Sequence, residues 1–377
     1  MLQLGVIGYG NRIGSIVDLL VGTGKARVAA VTDIRNEELE KALTDKGYAD
    51  VHFYTDAEKM MKEEKLDGVL IGTRCSLHTH FAMLVAKYKL PMFLEKPVCT
   101  SEADLLRLKS IPAEQDQKTM VSFPLRVSSL FLEVKKIVDS GKLGRIEHVQ
   151  AYNNAAYGRG YFHMWYREES ETGGQFLQKA THDLDYICHL LGENRPIRVC
   201  AVKSKQVFKG NEPAGKKCAD CEKTDICPES PKNLLKTNGG GVRGEYCCFA
   251  KDVTIEDSGS CIVEFESGMH AVYSQDFIVR NGAGRRGARL IGYYGTLEFD
   301  WVTGKITVYR HLEPVKEEYT LSQGDGHFGG DALLAENFIG VIEGKEASIA
   351  PLSDGIRSAE LCLAAKRSSI EKTFVEL

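Results

Sequence analysis

A short apolar run, Leu2 to Ile7, leads directly into a glycine-rich turn, Gly8 to Gly14, and then into apolar residues at helical spacing. Gly8 can make a tight bend, Gly10 lets a backbone approach a pyrophosphate, and the following helix presents free N–H groups and a positive dipole end. A second apolar strand ends at Asp33, about 20 residues beyond the glycines, where a dinucleotide site places a carboxylate on the ribose hydroxyls. This order of elements predicts a nucleotide-binding βαβ unit.

The choice between the two nicotinamide dinucleotides depends on the end of this unit. The carboxylate of Asp33 would repel a 2'-phosphate and favours NAD, whereas Arg35 keeps NADP as an alternative. The third glycine of the usual fingerprint is displaced, because Ile13 occupies its position and Gly14 follows. An ordinary glycine-rich turn is the competing interpretation, and the ordered succession of strand, turn, helix, strand and acid argues against it.

Alternating strands and helices continue beyond this unit. Apolar runs at Gly68 to Ile71 and Pro91 to Leu94 predict strands, with Thr73 and Lys96 just past their ends. Ligands of open parallel sheets collect outside the carboxyl ends of the strands, so both side chains are expected to face the cofactor. Val121 to Phe123 is the last predicted strand, which places a Rossmann domain at residues 1–123.

From about Ser128 the pattern changes to strands separated mostly by short turns, which predicts an antiparallel sheet. Helices at Asp331 to Ile342 and Asp354 to Lys366 close the chain. The predicted strands are Ile146 to Tyr152, Ile197 to Val202, Gly259 to Phe265, Met269 to Phe277, Ala288 to Tyr293, Gly295 to Phe299 and Lys305 to Tyr309. The fold class is therefore α/β: an N-terminal Rossmann domain and an α+β domain at residues 124–377, with a large open antiparallel sheet and a cysteine-containing insertion at about 209–248.

The stretch Gly173 to Asp185 concentrates polar groups. It carries a glycine pair, a lysine, a histidine and two carboxylates within roughly three turns of potential helix. If the stretch is helical, Gln178 and His182 stand four residues apart and share a face. Taken alone, it also fits a capped amphipathic helix with a surface histidine.

Composition limits the classes of function. A chain of 377 residues exceeds one ordinary core, and a formal net charge of −4 gives no bulk attraction to nucleic acid or anionic membrane. The N-terminus lacks the basic segment of a secretory signal, and no apolar run reaches the about 20 residues of a membrane span. We therefore expect a cytoplasmic protein whose partners are small molecules or further copies of itself.

The insertion contains a cysteine motif, Cys218-x2-Cys221-x5-Cys227, with Cys247 and Cys248 further on. With 11 cysteines and no export signal, the chain is expected to hold reduced thiols or metal ligands rather than disulfides. Four thiolates from two segments would suit a structural zinc that orders a loop with few apolar residues. Free surface cysteines and an iron–sulfur cluster stay as alternatives, since only one CxxC pair is present.

These motifs occur together in an order that resembles the glucose-fructose oxidoreductase / inositol dehydrogenase (Gfo/Idh/MocA) family. The resemblance covers nearly the whole chain and implies a Rossmann domain with a nicotinamide cofactor, a second domain with an open antiparallel sheet, and dimers or tetramers formed through that sheet. It also implies a sugar, inositol or related polyol as substrate. The resemblance rests on the glycine turn, Asp33, the Thr73 to His78 segment, Glu95-Lys96-Pro97, the Gly-Gly…His…Asp stretch and His327-Phe328-Gly329-Gly330-Asp331.

The resemblance further implies roles for individual residues. Lys96 and His182 inherit contacts to the reacting hydroxyl, and Gln178, beside Lys179, replaces the aspartate that usually precedes the histidine by four residues. The predicted cofactor-binding residues are Gly8, Gly10, Asn11, Arg12, Ile13, Asp33, Arg35, Thr73, His78, Glu95 and Lys96. The predicted substrate contacts are Arg126, Tyr157, Arg159, His163, Trp165, Arg167, Lys179, Asp185 and His327.

The chemistry assigned to these residues is the oxidation of a secondary alcohol. A hydride leaves carbon for the nicotinamide while a proton leaves oxygen, so a general base must lie within hydrogen-bond reach of the hydroxyl. His182 suits this role, Lys96 would stabilise the developing alkoxide, and Gln178 could orient His182 or a substrate hydroxyl without carrying charge. A carboxylate for the imidazolium would have to come from Asp183 or Asp185.

Two other functions stay open at this point. One is an NAD-dependent glycoside hydrolase that works by transient oxidation and elimination, which the substitution at Gln178 makes worth carrying. The other is a non-catalytic nucleotide- or sugar-binding sensor, against which the presence of Lys96 and His182 argues. Net production of reduced cofactor during turnover would separate the dehydrogenase from the hydrolase, and the effect of His182→Ala on turnover would test the sensor.

Overall fold

The computed structural model describes residues 1–48, 50–158, 160–238, 244–322 and 324–377. The chain divides into two compact units. The first consists of Met1–Ser129 and Gly324–Glu360, and the second of Leu130–Gln323 and Leu361–Leu377. Within the described ranges, no helix is both long and apolar enough to cross a membrane.

A six-stranded parallel sheet forms the centre of the first unit, in the order β3-β2-β1-β4-β5-β6. Its strands are β1 (Leu2–Ile7), β2 (Ala26–Thr32), β3 (His52–Tyr54), β4 (Gly68–Ile71), β5 (Met92–Leu94) and β6 (Thr119–Val121). The strand order reverses between β1 and β4, which is where a doubly wound sheet binds its ligand. The predicted Rossmann fold is confirmed.

Helices connect these strands, as right-handed parallel crossovers require. In the first unit these are Asn11–Gly22, Asn36–Asp45, Ala57–Glu63, His78–Lys87 and Glu102–Lys109, and the helices Asp325–Phe328 and Gly330–Ile342 join the unit from much later in the chain. The last of them returns from the far end of the chain, and its Phe338 packs edge-on against Phe93 of β5 with ring centroids 5.6 Å apart. Residues 324–360 therefore group with the nucleotide half. The expected domain boundary after residue 123 stays a prediction.

A nine-stranded sheet forms the second unit, in the order β14-β13-β12-β11-β7-β10-β9-β8-β15. Its strands are β7 (Ile146–Asn154), β8 (Pro196–Ser204), β9 (Ser258–Phe265), β10 (His270–Asp276), β11 (Arg285–Gly292), β12 (Gly295–Asp300), β13 (Lys305–Arg310), β14 (Lys316–Thr320) and β15 (Val375–Glu376). Neighbours run antiparallel except β7 and β10, which are parallel. The expected large sheet is present, with this one parallel pair making it mixed.

Aromatic side chains attach the helices of the second unit to this sheet. Tyr186 packs against Phe131 and Trp301, with ring centroids 5.8 and 5.0 Å apart, and its hydroxyl donates to the carbonyl of Gly287 at 3.2 Å. The helices of this unit are Ser129–Asp139, Gly160–His163, Glu169–Thr172, Gln175–Gln178, Ala180–Leu191 and Pro231–Asn238, and the helix Leu352–Glu371 ends in it. The helix Ala180–Leu191 is thereby held on the sheet, and it carries His182.

Candidate active site

The glycine turn after β1 has the geometry that a bound pyrophosphate needs. Gly8 has φ +78°, and a Cβ on it would lie 2.7 Å from the backbone nitrogen of Thr73. At Gly10 a Cβ would meet only the carbonyl oxygen of Gly72, at 3.7 Å. Gly10 is also the N-cap of the helix Asn11–Gly22, where Asn11 is exposed. Because glycine has no side chain to occupy the first-turn amides, these N–H groups are available to an anion.

The displaced third glycine has a structural compensation. Ile13 is buried in the helix that follows the turn, and a Cβ on Gly72, just past β4, would lie 2.5 Å from its Cβ. The space that the missing glycine would have left on the helix is therefore supplied by a glycine on the neighbouring strand end. The helix can therefore still approach the sheet closely, with the larger side chain, Ile13, on the helix and the glycine, Gly72, at the strand end.

Replacing Gly8 with alanine should disable the turn. The positive φ and the clash with Thr73 are expected to cost about 1–3 kcal/mol of folding free energy and to abolish measurable NAD binding. Gly22→Ala is the matched control, because a Cβ there meets nothing within 4 Å at the end of the same helix. Thermal unfolding with and without NAD checks both variants; equal melting temperatures and equal NAD shifts would show that the turn does not need its glycine.

Asp33 and Arg35 lie together after β2. The Asp33 carboxylate accepts from the backbone N–H of Tyr9 at 2.7 Å and of Arg35 at 2.9 Å, and the Arg35 guanidinium pairs with it at 3.1 Å. Burial raises the pKa of Asp33, but the hydrogen bonds from Arg35 and Tyr9 outweigh it and keep the group ionised. The Arg35 side chain is about half exposed, so the carboxylate and the guanidinium both stay candidates for the ribose end of a dinucleotide.

The Glu95-Lys96-Pro97 segment follows β5 and is held by contacts with Ile71 and His78. The N–H of Glu95 donates to the carbonyl of Ile71 at 3.1 Å. His78 is buried, with Nδ1 2.7 Å from the Pro97 carbonyl and Nε2 3.2 Å from the Thr73 carbonyl. Burial lowers the pKa of His78. Because a carbonyl only accepts, a neutral His78 ring donates to one of these two carbonyls and packs against the other, while Lys96 is half-buried at the end of β5.

Arg12 connects the glycine turn with the returning helix. Its guanidinium makes two bonds to Asp331, at 2.6 and 2.7 Å, and pairs with Glu95 at 3.1 Å. His327 also contacts Asp331, at 3.0 Å. Burial raises the pKa of Asp331, but the bonds from His327 and Arg12 lower it to about 2. Both predicted site residues are thus engaged by one carboxylate of the first unit, and Asp331 was not expected in this role.

In the second unit the predicted single helix over Gly173 to Asp185 is broken. One turn, Gln175–Gln178, is followed by the helix Ala180–Leu191, and Lys179 between them has φ −117° and ψ −51°. The glycine pair is needed because both residues have positive φ, and the Glu256 carboxylate accepts from the N–H of Phe176 at 3.1 Å just beyond them. Gln178 and His182 therefore do not follow a regular helical spacing.

The polar residues of this stretch are nearly all inside. His182 and Gln178 are 5% and 6% exposed, and Asp185 is also buried. Asp183 faces the sheet, where it pairs with Arg286 at 2.8 Å and accepts from the Tyr273 hydroxyl at 2.9 Å. Because its oxygens are committed there, Asp183 is not available to His182. Of the two carboxylates considered for the imidazolium, Asp185 alone stays a candidate.

Lys179, expected as a second substrate cation, is buried beside two tyrosine rings. Its ammonium lies 4.7 and 4.5 Å from the ring centroids of Tyr157 and Tyr161 and 3.5 Å from the Tyr157 hydroxyl. Burial and the nearby Arg286 lower its pKa to about 7, against the opposing effect of Asp183. Both protonation states of Lys179 are therefore populated near neutral pH, whereas an exposed lysine stays almost fully protonated there.

The depressed pKa of Lys179 predicts a stability that rises with pH. The unfolded chain holds this proton up to about pH 10.5, whereas the folded protein releases it above about 7. Between these values unfolding takes up a proton, so raising the pH stabilises the folded state by up to about 1.4 kcal/mol per pH unit. Lys179→Met should lose this dependence, while Lys41→Met, at an exposed position, should keep it. Urea unfolding from about pH 7 to pH 10 measures the slopes; parallel slopes for Lys179→Met and the wild type would contradict the assignment.

An aromatic row continues from this cluster. Tyr161 contacts Tyr166 edge-on at 5.2 Å, and Tyr166 stacks on Trp165 at 3.8 Å. Tyr157 is exposed, so the row can present ring faces to a ligand. The sequence pointed to Tyr157 and Trp165 but missed Tyr161. Arg159 lies outside the described residues.

Three other predicted substrate contacts are buried within the fold. Arg126 is buried and pairs with Asp354 at 2.6 Å. Arg167 is buried, with its guanidinium paired to Asp252 and donating to the Cys247 carbonyl at 3.2 Å. His163 is buried against the same insertion, and burial lowers its pKa. Their assignment to the substrate stays untested, and these contacts give Arg126 and Arg167 a role in holding the chain together.

The four-thiolate zinc site predicted for the insertion stays a prediction, and Cys218 lies close enough to Cys247, Cys227 and Cys221 to interact electrostatically with all three. All 11 cysteines are free thiols, and burial raises the pKa of Cys218 to about 11. Cys221, Cys227 and Cys247 line a cavity of about 240 Å³. Among the residues that the structure describes, the only three-ligand group within 4.8 Å instead joins Cys248 to His163 and Glu229.

Comparisons with known proteins follow the two halves of the chain. Residues 2–123 match the model of an oxidoreductase family with an NAD-binding Rossmann fold, and residues 131–298 match the GFO/IDH/MocA C-terminal domain. A Bacillus subtilis protein named as an oxidoreductase, YteT, is 26% identical over 325 residues, which is 76% of each chain. The inositol 2-dehydrogenase of Rhizobium meliloti is 25% identical over 391 residues, covering 100% of this chain and 99% of its own.

Solved structures share the fold over the full length. Levoglucosan dehydrogenase in complex with NADH and L-sorbose superposes with a TM-score of 0.78 at 17% identity, covering 100% of this chain and 98% of its own. The scyllo-inositol dehydrogenase of Lactobacillus casei with bound NAD(H) and scyllo-inositol gives a TM-score of 0.72 at 19% identity, covering 100% and 99%. With both family models matched and the fold shared end to end, the chain belongs to the GFO/IDH/MocA family of NAD-binding oxidoreductases.

Proposed function

We propose that this protein oxidises a secondary hydroxyl of a sugar, inositol or related polyol, with NAD as hydride acceptor. The observation that carries the proposal is the buried histidine His182. Its helix begins directly after Lys179, whose ammonium lies against two tyrosine rings. The same chain also has the glycine turn of a dinucleotide site. The relatives support the substrate class, since they include an inositol 2-dehydrogenase. Solved structures of levoglucosan and scyllo-inositol dehydrogenases with the same fold support it further.

The residues of the first unit fit a dinucleotide. The open space over Gly10 and the uncapped start of the helix Asn11–Gly22 would hold the pyrophosphate. Asp33 would accept the ribose hydroxyls of NAD once Arg35 swings aside, and Arg35 would meet the 2'-phosphate if NADP binds instead. Bound NAD supplies the hydride acceptor, which the chain itself lacks.

The chain's own residues supply the proton chemistry and the charge. His182 takes the proton of the substrate hydroxyl as the carbon is oxidised, and returns it in the reverse direction. Lys96 lies at the end of β5 and stabilises the developing alkoxide. Gln178 carries no charge, so it can orient a substrate hydroxyl but cannot compensate an imidazolium. This divides the work among proton transfer, charge stabilisation and positioning.

The charges around Lys179 widen the range of substrates worth testing. Lys179 and Arg286 are both buried, and the nearby carboxylate of Asp183 interacts electrostatically with both of them. A substrate carboxylate next to Lys179 would favour the ammonium form and offset part of the cost of burying it. Sugar acids therefore belong in the substrate panel beside neutral polyols.

The test is a substrate panel with NAD and with NADP, read as absorbance of the reduced cofactor. It contains myo-inositol, scyllo-inositol, glucose, levoglucosan, glucuronate and galacturonate. We expect reduced cofactor with at least one of them, and faster with NAD. Ligand binding without any reduced cofactor would favour a sensor, and glycoside cleavage without net reduced cofactor would favour the hydrolase; either result would reject the proposal.

The oligomer proposed from the sequence has a surface that could form it. On the face of the second sheet opposite the buried residues, Val202 of β8 and Ile262 of β9 are exposed, at 59% and 44%. Apolar side chains in neighbouring strands on one open face are typical of a surface that another copy covers. We propose a cytoplasmic dimer or tetramer formed through this sheet. Light scattering after size exclusion should give two or four times the 41.7 kDa chain mass, and a monomer at micromolar concentration would contradict it.

A further inference from the structure

Three buried side chains from distant parts of the second unit meet at one point. The ligand atoms of His163, Glu229 and Cys248 all lie within 4.8 Å of one another. The residues are 1%, 4% and 1% exposed, and they come from a short helix, the loop before Pro231–Asn238 and the loop before β9. An imidazole, a carboxylate and a thiolate bound to one tetrahedral ion at about 2.0–2.3 Å would stand roughly 3.3–3.8 Å apart. Only small side-chain movements separate the observed cluster from that arrangement.

The orientation of His163 is the one a metal ligand needs. Its Nδ1 lies 2.7 Å from the backbone carbonyl of Tyr246, and a carbonyl oxygen can only accept, so Nδ1 carries the hydrogen. The lone pair is then on Nε2, which has no hydrogen-bond partner among the described residues. A ring fixed by a carbonyl on one nitrogen while the other nitrogen faces the ion is the common arrangement of metal-bound histidines.

The surroundings of the other two ligands fit the same role. Cys248 belongs to an apolar cluster that includes Phe162, Phe208 and Phe277, and such a shell lowers the local dielectric and so strengthens binding to an ion. Glu229 keeps its carboxylate in place through an ion pair with Arg280. Burying a histidine acceptor, a thiol and a carboxylate together costs free energy unless a partner compensates it.

We propose that His163, Glu229 and Cys248 bind one divalent cation of the zinc class, with water as a fourth ligand. The ion joins the cysteine-containing insertion to the segment that precedes the substrate residues, and the same two segments are already linked by Arg167, Asp252 and the Tyr246 backbone. It is distinct from the four-thiolate zinc expected from the cysteine spacing, which stays a prediction. Cys248 is the one member of that set which it uses.

Cobalt substitution of the whole purified chain tests the site without using enzyme activity. Metal is first quantified in protein purified without chelator, then removed and replaced with Co²⁺. We expect about one ion per chain and the visible absorption bands of tetrahedrally coordinated Co²⁺. We also expect a near-ultraviolet absorption band from thiolate-to-cobalt charge transfer. Removing the metal should also lower the melting temperature, because the ion binds the folded state alone.

Variants decide which residues hold the ion. Cys248→Ser should abolish the thiolate band, and His163→Gln should weaken Co²⁺ binding by at least about tenfold. Cys261→Ser, at another buried cysteine, and Cys218→Ser should leave both unchanged, and circular dichroism of the metal-free proteins shows that each variant folds. No thiolate band in the wild type would overturn the proposal, as would a band that survives Cys248→Ser and disappears in Cys218→Ser.

Discussion

Replacing His182 with alanine should lower kcat by about 10²–10⁴-fold, because the substrate hydroxyl then loses the side chain that takes its proton. The affinity for NADH should stay within about twofold, since the residues expected to hold the dinucleotide lie in the other unit. Steady-state kinetics with the best substrate of the panel measure the rate, and fluorescence titration measures the cofactor affinity.

The matched control for this experiment is His189→Ala. His189 lies in the last turn of the same helix and is half-buried, so its loss reproduces any general weakening of the helix. If the His182 variant turned over as fast as the His189 variant, the proton acceptor would have to be a different group. Lys179, with its pKa of about 7, would then be the next candidate.

Replacing Arg286 with methionine should destabilise the protein by about 3–5 kcal/mol, because it leaves the carboxylate of Asp183 buried without its cation. The pair is 2.8 Å apart, and both side chains are buried beneath the helix that carries His182. Asp183 would keep its bonds from Asn153 and Tyr273, at 3.0 and 2.9 Å, but these are neutral donors. Urea or thermal unfolding measures the loss.

Arg285→Met is the control, since Arg285 is the neighbouring residue, half exposed, and pairs with Asp300 at 3.1 Å. An exposed pair of this kind contributes up to about 1 kcal/mol. The double variant Asp183→Asn with Arg286→Met should recover part of the stability, because no uncompensated charge is left. Equal stabilities of the Arg285 and Arg286 variants would mean that the buried ion pair is not what holds the helix on the sheet.

The first unit was predictable because its signals are local. The turn from Gly8 to Gly14 and the polar residues after each strand are set by chain geometry within a few residues. What the sequence did not show is the return of residues 324–360, because the bond between Arg12 and Asp331 joins positions 319 residues apart. Such a pairing leaves no periodic pattern.

The second unit shows the limits of spacing arguments more clearly. A helical period predicted that Gln178 and His182 share a face, but the chain breaks at Lys179 and turns its ammonium between two tyrosines. The cysteine spacing predicted a four-thiolate zinc, which stays a prediction, but it gave no sign that Cys248 meets a histidine 85 positions earlier. In both cases the deciding contacts are tertiary, and residues such as Tyr161 and Glu229 have no motif that would announce them.

Hydride transfer from a substrate carbon is the central claim, and an isotope label tests it most directly. The best substrate of the panel is supplied with deuterium on its hydroxyl-bearing carbons, and the reduced cofactor is analysed by mass spectrometry after a single turnover. We predict one deuterium in each reduced cofactor and one ketone, lactone or equivalent oxidised product for each cofactor reduced. Product formed without net reduced cofactor, or reduced cofactor without the label, would contradict the claim.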